Sequence, residues 1–235
     1  MQKNPEYLFP VLIVVAIATV VFLIVYFSRK HIILRQLSKF KPKRISQFRT
    51  NELTKISGKV LQVEAPFVAP YSKRKCVAYI FEVKQKISTG KSSHWKTLVK
   101  KEDIQDFFIK KDGELVMIKP SLELSNYNSY IVEDKSISSG TFNNPTPKFQ
   151  EVLDDYGIES ENWLGLNKTL KYSERIIEIG ETITVGGIAK WKVLSESIEG
   201  YNYSKIAALE SSDAQKLIIT DLPEAIKVTK RERRL

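Results

Sequence analysis

The longest uninterrupted apolar run, Tyr7 to Phe27, is 21 residues without a charge. At about 1.5 Å per residue, a helix of that length reaches across a hydrocarbon core of about 30 Å. Tyr7 and Phe9 at one end, and Tyr26 and Phe27 at the other, stand where interfacial aromatic belts form. Pro10 falls in the opening turns, where a missing amide costs least. The competing reading is a cleavable leader, which needs a basic stretch ahead of a shorter apolar core. Here the basic stretch follows the core and begins Ser28-Arg29-Lys30, so the run predicts an uncleaved anchor. From Ile32 to Phe40 apolar and basic positions mix, which predicts that the helix continues along the membrane interface until Pro42 ends it.

Beyond Lys55 the periodicity changes to that of strands. A first strand is predicted over Lys55 to Glu64, followed by a loop bracketed by Pro66 and Pro70. Cys76 to Val83 is apolar on both faces, as a central strand is. A polar turn at residues 88–93 leads into a strand through Trp95, Thr97 and Val99. Phe107-Phe108-Ile109, Lys111-Asp112-Gly113 and Leu115 to Ile118 predict a hairpin closed by Pro120, because Asp-Gly supplies the positive φ of a tight turn. One helix is predicted over Pro147 to Tyr156: Thr146 as N-cap, Pro147 in the first position, Phe149, Val152, Leu153 and Tyr156 at helical spacing, and Gly157 as terminator. Strands resume over Lys168 to Glu178 and Glu181 to Val193 around a turn at Gly180, then at Lys205 to Leu209 and Leu217 to Thr220. A short basic helix is expected from Pro223. The fold class is therefore mainly β with one or two short helices, a small curled sheet or OB-like barrel, preceded by one transmembrane helix. The divisions are a tail at 1–6, the span at 7–27, a basic juxtamembrane linker at 28–49, the β-rich domain at 50–222 and a basic tail at 223–235.

Charge changes this picture by where it lies. The net charge is +10, but residues 28–44 hold seven cationic residues and no acid, and residues 227–235 add a net four. The 182 residues between are one charge from neutral. Basic charge gathered beside a span and at a terminus is a topogenic or lipid-headgroup pattern, and it argues against nucleic acid as a partner. The positive-inside rule sets the amino terminus outside and the domain in the cytoplasm. That topology makes the sequons at Asn167 and Asn202 irrelevant. The Lys-, Ile- and Asn-rich composition is compatible with a bacterial source and its inner membrane.

Several segments, taken in order, resemble a known family. They are Ser57-Gly58-Lys59-Val60; Cys76-Val77-Ala78-Tyr79; Leu115 to Pro120; and the long stretch from Tyr172 through Glu174, Gly180 and Gly186 to Gly187. Preceded by a membrane anchor, this series resembles the GIDE-type, or "beside a membrane", domain of membrane-anchored mitochondrial and chloroplast ubiquitin ligases and their bacterial relatives. The resemblance covers about residues 50 to 220 and marks Gly58, Val60, Cys76, Tyr79, Pro120, Glu174, Gly180 and Gly186 as family positions. Eukaryotic relatives carry a second span and a C-terminal RING. The 235 residues contain neither, so ligase activity is not carried over.

No catalytic set emerges from the residue types. One Cys and two His fall short of the eight ligands of a two-zinc RING, and neither a cofactor nor a metal is expected. Cys76, opening an apolar strand, is read as a buried structural thiol, although Lys73, Arg74 and Lys75 just before it would lower its pKa if it were exposed. His94 reads as solvated and His31 as interfacial. Asp154 and Asp155 read as the solvated side of the helix, despite being a carboxylate pair. Glu174 and Glu178 share a strand face about 13 Å apart, too far for one site, and Glu174 is read as a partner for a neighbouring Arg or Lys. Gly186-Gly187 reads as a strand-end bend rather than a phosphate loop. The leading expectation is a non-enzymatic, membrane-anchored module that binds a partner protein. The alternatives are a RING-less accessory member of the ligase family and a nucleic-acid-binding barrel using Tyr127, Tyr130, Tyr201 and Tyr203 for stacking.

Overall fold

The computed structural model describes residues 8–120, 126–194 and 203–226. Tyr7, Tyr201, Asn202 and the basic tail from Lys227 lie outside them. Helix α1, Leu8–Tyr26, exposes its side chains from Phe9 onward and is long and apolar enough to cross a membrane. The expected continuation into the next segment does not occur. Ser28 is extended, with φ −64° and ψ 144°, and helix α2, Arg29–Ser38, starts afresh after it. The Arg35 guanidinium folds back to donate to the Tyr26 carbonyl at 2.7 Å and stands 4.0 Å from the Tyr26 ring centre. Ile33 and Leu37, four residues apart on one helix face, are buried with Phe40, Ile218, Leu222 and Ala225. The stretch 28–49 is thus folded onto the body, with Ile45 and Phe48 also in the core.

The remaining elements in chain order are β1 (Lys41–Pro42), β2 (Glu52–Gln62), β3 (Phe67–Val68), β4 (Lys75–Ser88), β5 (Ser93–Ile104), β6 (Phe107–Lys111) and β7 (Glu114–Lys119). They continue with β8 (Tyr127–Tyr130), β9 (Lys135–Ser139), α3 (Pro147–Asp155), β10 (Leu170–Glu178), β11 (Thr182–Val193), β12 (Lys205–Glu210) and β13 (Leu217–Thr220). The fold is mainly β, as expected.

Five strands close a barrel in the order β2-β6-β7-β12-β11, with β11 pairing back onto β2. Every neighbouring pair is antiparallel except β7 and β12, which run parallel. Numbered by appearance in the chain, the barrel strands stand 1-2-3-5-4-1, which is the OB-like closure. Ile56, Val60, Ile109, Val116, Ile183, Val185 and Leu209 fill the interior. Strands β1, β13 and β8 extend the sheet from its outer sides. The β6–β7 turn uses Asp112 at φ 51° and Gly113 at φ 86°, the paired left-handed geometry that lets two strands meet without splaying. A Cβ on Gly58 would stand 2.5 Å from the Lys110 carbonyl oxygen, so β2 and β6 approach only because that position lacks a side chain.

A second, curled sheet runs β9-β10-β4, with β3 and β5 sharing the far edge of β4. It lies between the barrel and α3. Val77, Ala78 and Ile177 join the barrel core, whereas Cys76, Tyr79, Phe81, Val83, Tyr172 and Ile176 pack with Phe149, Val152 and Leu153 of α3. The helix carries the predicted signals: Thr146 Oγ1 accepts from the Phe149 amide at 3.3 Å, Pro147 occupies the first turn, and Gly157 has φ 63°. The turn at Gly180, φ 87°, joins strands of different sheets and hands the chain from the second sheet to the barrel. The Gly180 amide donates to the Val60 carbonyl and the Val60 amide to the Glu181 carbonyl, each at 2.8 Å, which clamps the crossover to β2.

Candidate functional site

Most of the positions singled out by the resemblance form a joint between the barrel and the second sheet. Gly58 and Val60 lie on β2 under the crossover made by Gly180, and Cys76 sits opposite Glu178 in the β4–β10 ladder, with Tyr79 opposite Ile176. Cys76 is fully buried, and its Sγ lies 3.7 Å from the Phe67 carbonyl oxygen. Burial first, then the nearby Glu174 carboxylate, pushes its thiol up to about 12. A thiol so held is protonated at neutral pH and a poor nucleophile.

Glu174 corrects one expectation. Its fully buried carboxylate accepts from the backbone amides of Tyr71 and Ser72, the shortest at 3.0 Å, and from the Tyr172 hydroxyl at 2.8 Å. These partners replace the expected Arg or Lys, because the β3–β4 turn brings two amides with no partner on their own strand to β10. Burial and the bond to Glu174 raise the Tyr172 hydroxyl far above the usual phenolic range. A second correction concerns Gly186 and Gly187, which lie in the interior of β11 and make no bend. A Cβ on Gly186 would stand 2.9 Å from Leu37 Cδ2, and one on Gly187 2.7 Å from Leu217 Cδ1. Gly186 therefore makes room for α2. Pro120 is buried just after β7 and lines a cleft with Phe67.

Other candidates are dispersed. Asp154 and Asp155 are exposed at the end of α3, His94 is exposed on β5, and His31 lies 2.8 Å from Ser28 Oγ through its Nδ1. Tyr127 offers no stacking surface, being buried with its hydroxyl donating to Glu102 at 2.7 Å, and Tyr130 packs against the α2 cluster. Tyr203 is exposed. Among the described residues, no group of three His, Cys, Asp or Glu is placed to hold a metal ion.

Polar side chains converge in a cleft of about 280 Å³ between α2, β8 and the face of the second sheet turned away from α3. Alternation along β4 builds it: Phe81 and Val83 point to α3, so Ile80, Glu82 and Lys84 point the other way. Lys100 and Glu102 come from β5, Arg175 from β10, and Arg29 from the first turn of α2. Glu133 completes a lining with four cations and three acids. Lys84 Nζ lies 2.6 Å and Lys100 Nζ 4.0 Å from Glu82, and Arg175 lies 3.7 Å from Glu133. Burial opposes ionisation of Glu82, but the Lys84 hydrogen bond and the surrounding cations outweigh it and hold its carboxyl below the usual range. Such a lining is suited to polar, charged groups. The cleft has no signature in the sequence because its cations are scattered over long segments and its walls come from five elements, α2, β4, β5, β8 and β10. No family model matches the chain, and no curated protein or solved structure matches it either.

Proposed function

We propose that this chain is a single-pass membrane protein whose β-rich body, on the cytoplasmic side, holds a partner protein beside the bilayer and performs no catalysis of its own. The observation that carries this reading is the docking of α2. Because Ile33 and Leu37 are buried on the body, the anchor and the cleft that includes Arg29 form one unit. A partner segment in that cleft is held at a fixed distance from the membrane. The seven cationic residues after the span support the cytoplasmic orientation. The order of motifs around Gly58, Cys76, Glu174 and Gly180 supports a GIDE-type domain.

A photo-crosslinking residue at Ser129 in the cleft, with one at Asp154 on the far helix as control, tests the reading in intact cells. The expected result is a discrete adduct from position 129, absent from position 154 and lost when Arg29→Glu and Arg175→Glu are combined. Equal adducts from the two positions, or none from 129, defeat it. A reporter fused after Leu235 checks the orientation, and a signal from the outer side of the membrane contradicts the cytoplasmic assignment.

A further inference from the structure

Beyond Gln85 the β4–β5 ladder leaves the rest of its sheet behind. Strand β10 accompanies β4 as far as Gln85, opposite Leu170, whereas β4 and β5 stay paired out to Ser88 and Ser93. Every residue from Ser88 to Thr97 is exposed, so nothing covers either face of this two-stranded arm. From Lys84 to Lys101, both included, there are six lysines and no acid. The inner three have acidic neighbours in Glu82 and Asp103. Lys86, Lys91 and Lys96 have no ion-pair partner among the described residues. An ordinary solvated face intersperses both signs, and this one does not.

The arm also has a defined direction relative to the anchor. Lys86 and Trp95 are directly opposed in the ladder, and opposed residues share a face. By alternation along β4 this is the face of Glu82 and Lys84, where Lys100 and Arg29 line the cleft. Arg29 follows the last residue of α1 by three positions. Trp95, 45% exposed, places an amphipathic ring beside Lys86, a pairing suited to a lipid–water boundary. Lys91 lies in the turn at the tip, and Lys96, opposed to Gln85, stands on the reverse face and adds to the charge of the arm.

We infer that the β4–β5 arm is a second membrane contact, in which Lys86, Lys91 and Trp95 lie on an anionic phospholipid surface and Lys96, on the reverse face, adds to the attraction. The inference rests on α1 spanning the bilayer. With the anchor fixing one point of the body and the arm a second, the body is held in one orientation, and its tilt depends on the anionic lipid content of the facing leaflet.

The test uses the full chain with Ser92→Cys at the arm tip carrying an environment-sensitive nitrobenzoxadiazole probe; Cys76, the other thiol, is buried. The protein is incorporated into nanodiscs of phosphatidylcholine alone or of phosphatidylcholine with phosphatidylglycerol. Expected is a blue-shifted, brighter emission in the anionic discs, reversed at about 1 M salt. Combining Lys86→Glu, Lys91→Glu and Lys96→Glu is expected to lower the docked-to-free ratio by roughly a hundredfold or more. The corresponding triple Gln variant, expected to fall in the same direction by less, serves if the charge-reversed chain does not fold. Identical emission in the two disc types overturns the proposal, as does a lipid response that survives loss of the three charges. A response only to added single-stranded oligonucleotide overturns it in favour of nucleic acid. Co-elution with the disc reports the anchor separately: a chain that co-elutes without a probe response refutes the arm contact alone, and one that does not co-elute refutes the spanning reading and this proposal with it.

Discussion

The barrel and the sheet beside it treat their strand edges in opposite ways. The barrel joins β11 back to β2, and a closed ring leaves no free edge among its five strands. The second sheet stays open, and two of its strands outgrow their neighbours into a ribbon exposed on both faces. Interior order follows the same division. Barrel positions such as Ile56 and Val60 are fully buried, whereas the arm buries nothing past Ile87. The closed ring is packed around a common interior, whereas the open sheet, buried where it meets α3, carries the cleft wall and, at its outer end, the uncompensated charge and Trp95. Changes in the first should unfold the protein, and changes in the outer part of the second should leave it folded.

The largest effect expected is in the ring. Ile56→Ala should cost about 3 kcal/mol, and a thermal midpoint lowered by roughly 10 °C would show it; a change below 1 kcal/mol would mean the barrel is not the stable core. Gly58→Ala should follow at about 2 kcal/mol, because the added methyl meets the Lys110 carbonyl and the Ile109 side chain. Denaturant unfolding measures it, and a neutral result would require β2 and β6 to stand farther apart. At the joint, Tyr172→Phe should cost about 1–2 kcal/mol by removing the hydroxyl donor to buried Glu174.

A pH effect comes next. Burial, with the neighbouring acids, holds the carboxyl of Glu181 up to about 7, and burial holds that of Asp221 up to about 6. In the unfolded chain the same groups titrate near about 4. Between those values the folded state binds more protons than the unfolded state, so their contribution is fully present in acid and is lost as pH rises through 6 to 7. The thermal midpoint should therefore decline from pH 5 to pH 8 more steeply in the parent than in Glu181→Gln; parallel profiles would contradict the assignment. Smallest of all, Trp95→Ala should change stability by less than about 0.5 kcal/mol. A larger loss would show that the arm is packed rather than free, and would remove the contrast between the two regions.

Local signals in the sequence located what local geometry decides. Asp112-Gly113 marked its hairpin, and Thr146, Pro147 and Gly157 bounded α3, because turns and caps depend on residues within a few positions of one another. The apolar helix α1 was legible for the same reason. Strands β8 and β9 were not, since Tyr127–Tyr130 and Lys135–Ser139 are short, largely polar and specified by distant partners, β13 and β10. The role of Gly186 depends on α2, about 150 positions earlier, and the partners of Glu174 are backbone amides that have no sequence signature. The arm illustrates a different loss. Its lysines were in plain view, but acids elsewhere in the 182-residue middle cancelled them in the sum, and only the ladder shows that those acids are far from Lys86, Lys91 and Lys96.

The pairing of β2 with β11 also bears on how the chain is made. About 120 residues separate the end of β2 from the start of β11. At ribosomal rates of about 5–20 residues per second, β2 emerges and waits roughly 6–25 seconds for the strand that closes the ring. Throughout that interval the edge of β2 that β11 will cover stays unsealed. A ribosome-stalled chain in which β10 but not β11 has emerged should be cut readily by protease at β2, and one in which β12 has emerged should resist. Early resistance would mean that another segment shelters β2 during synthesis.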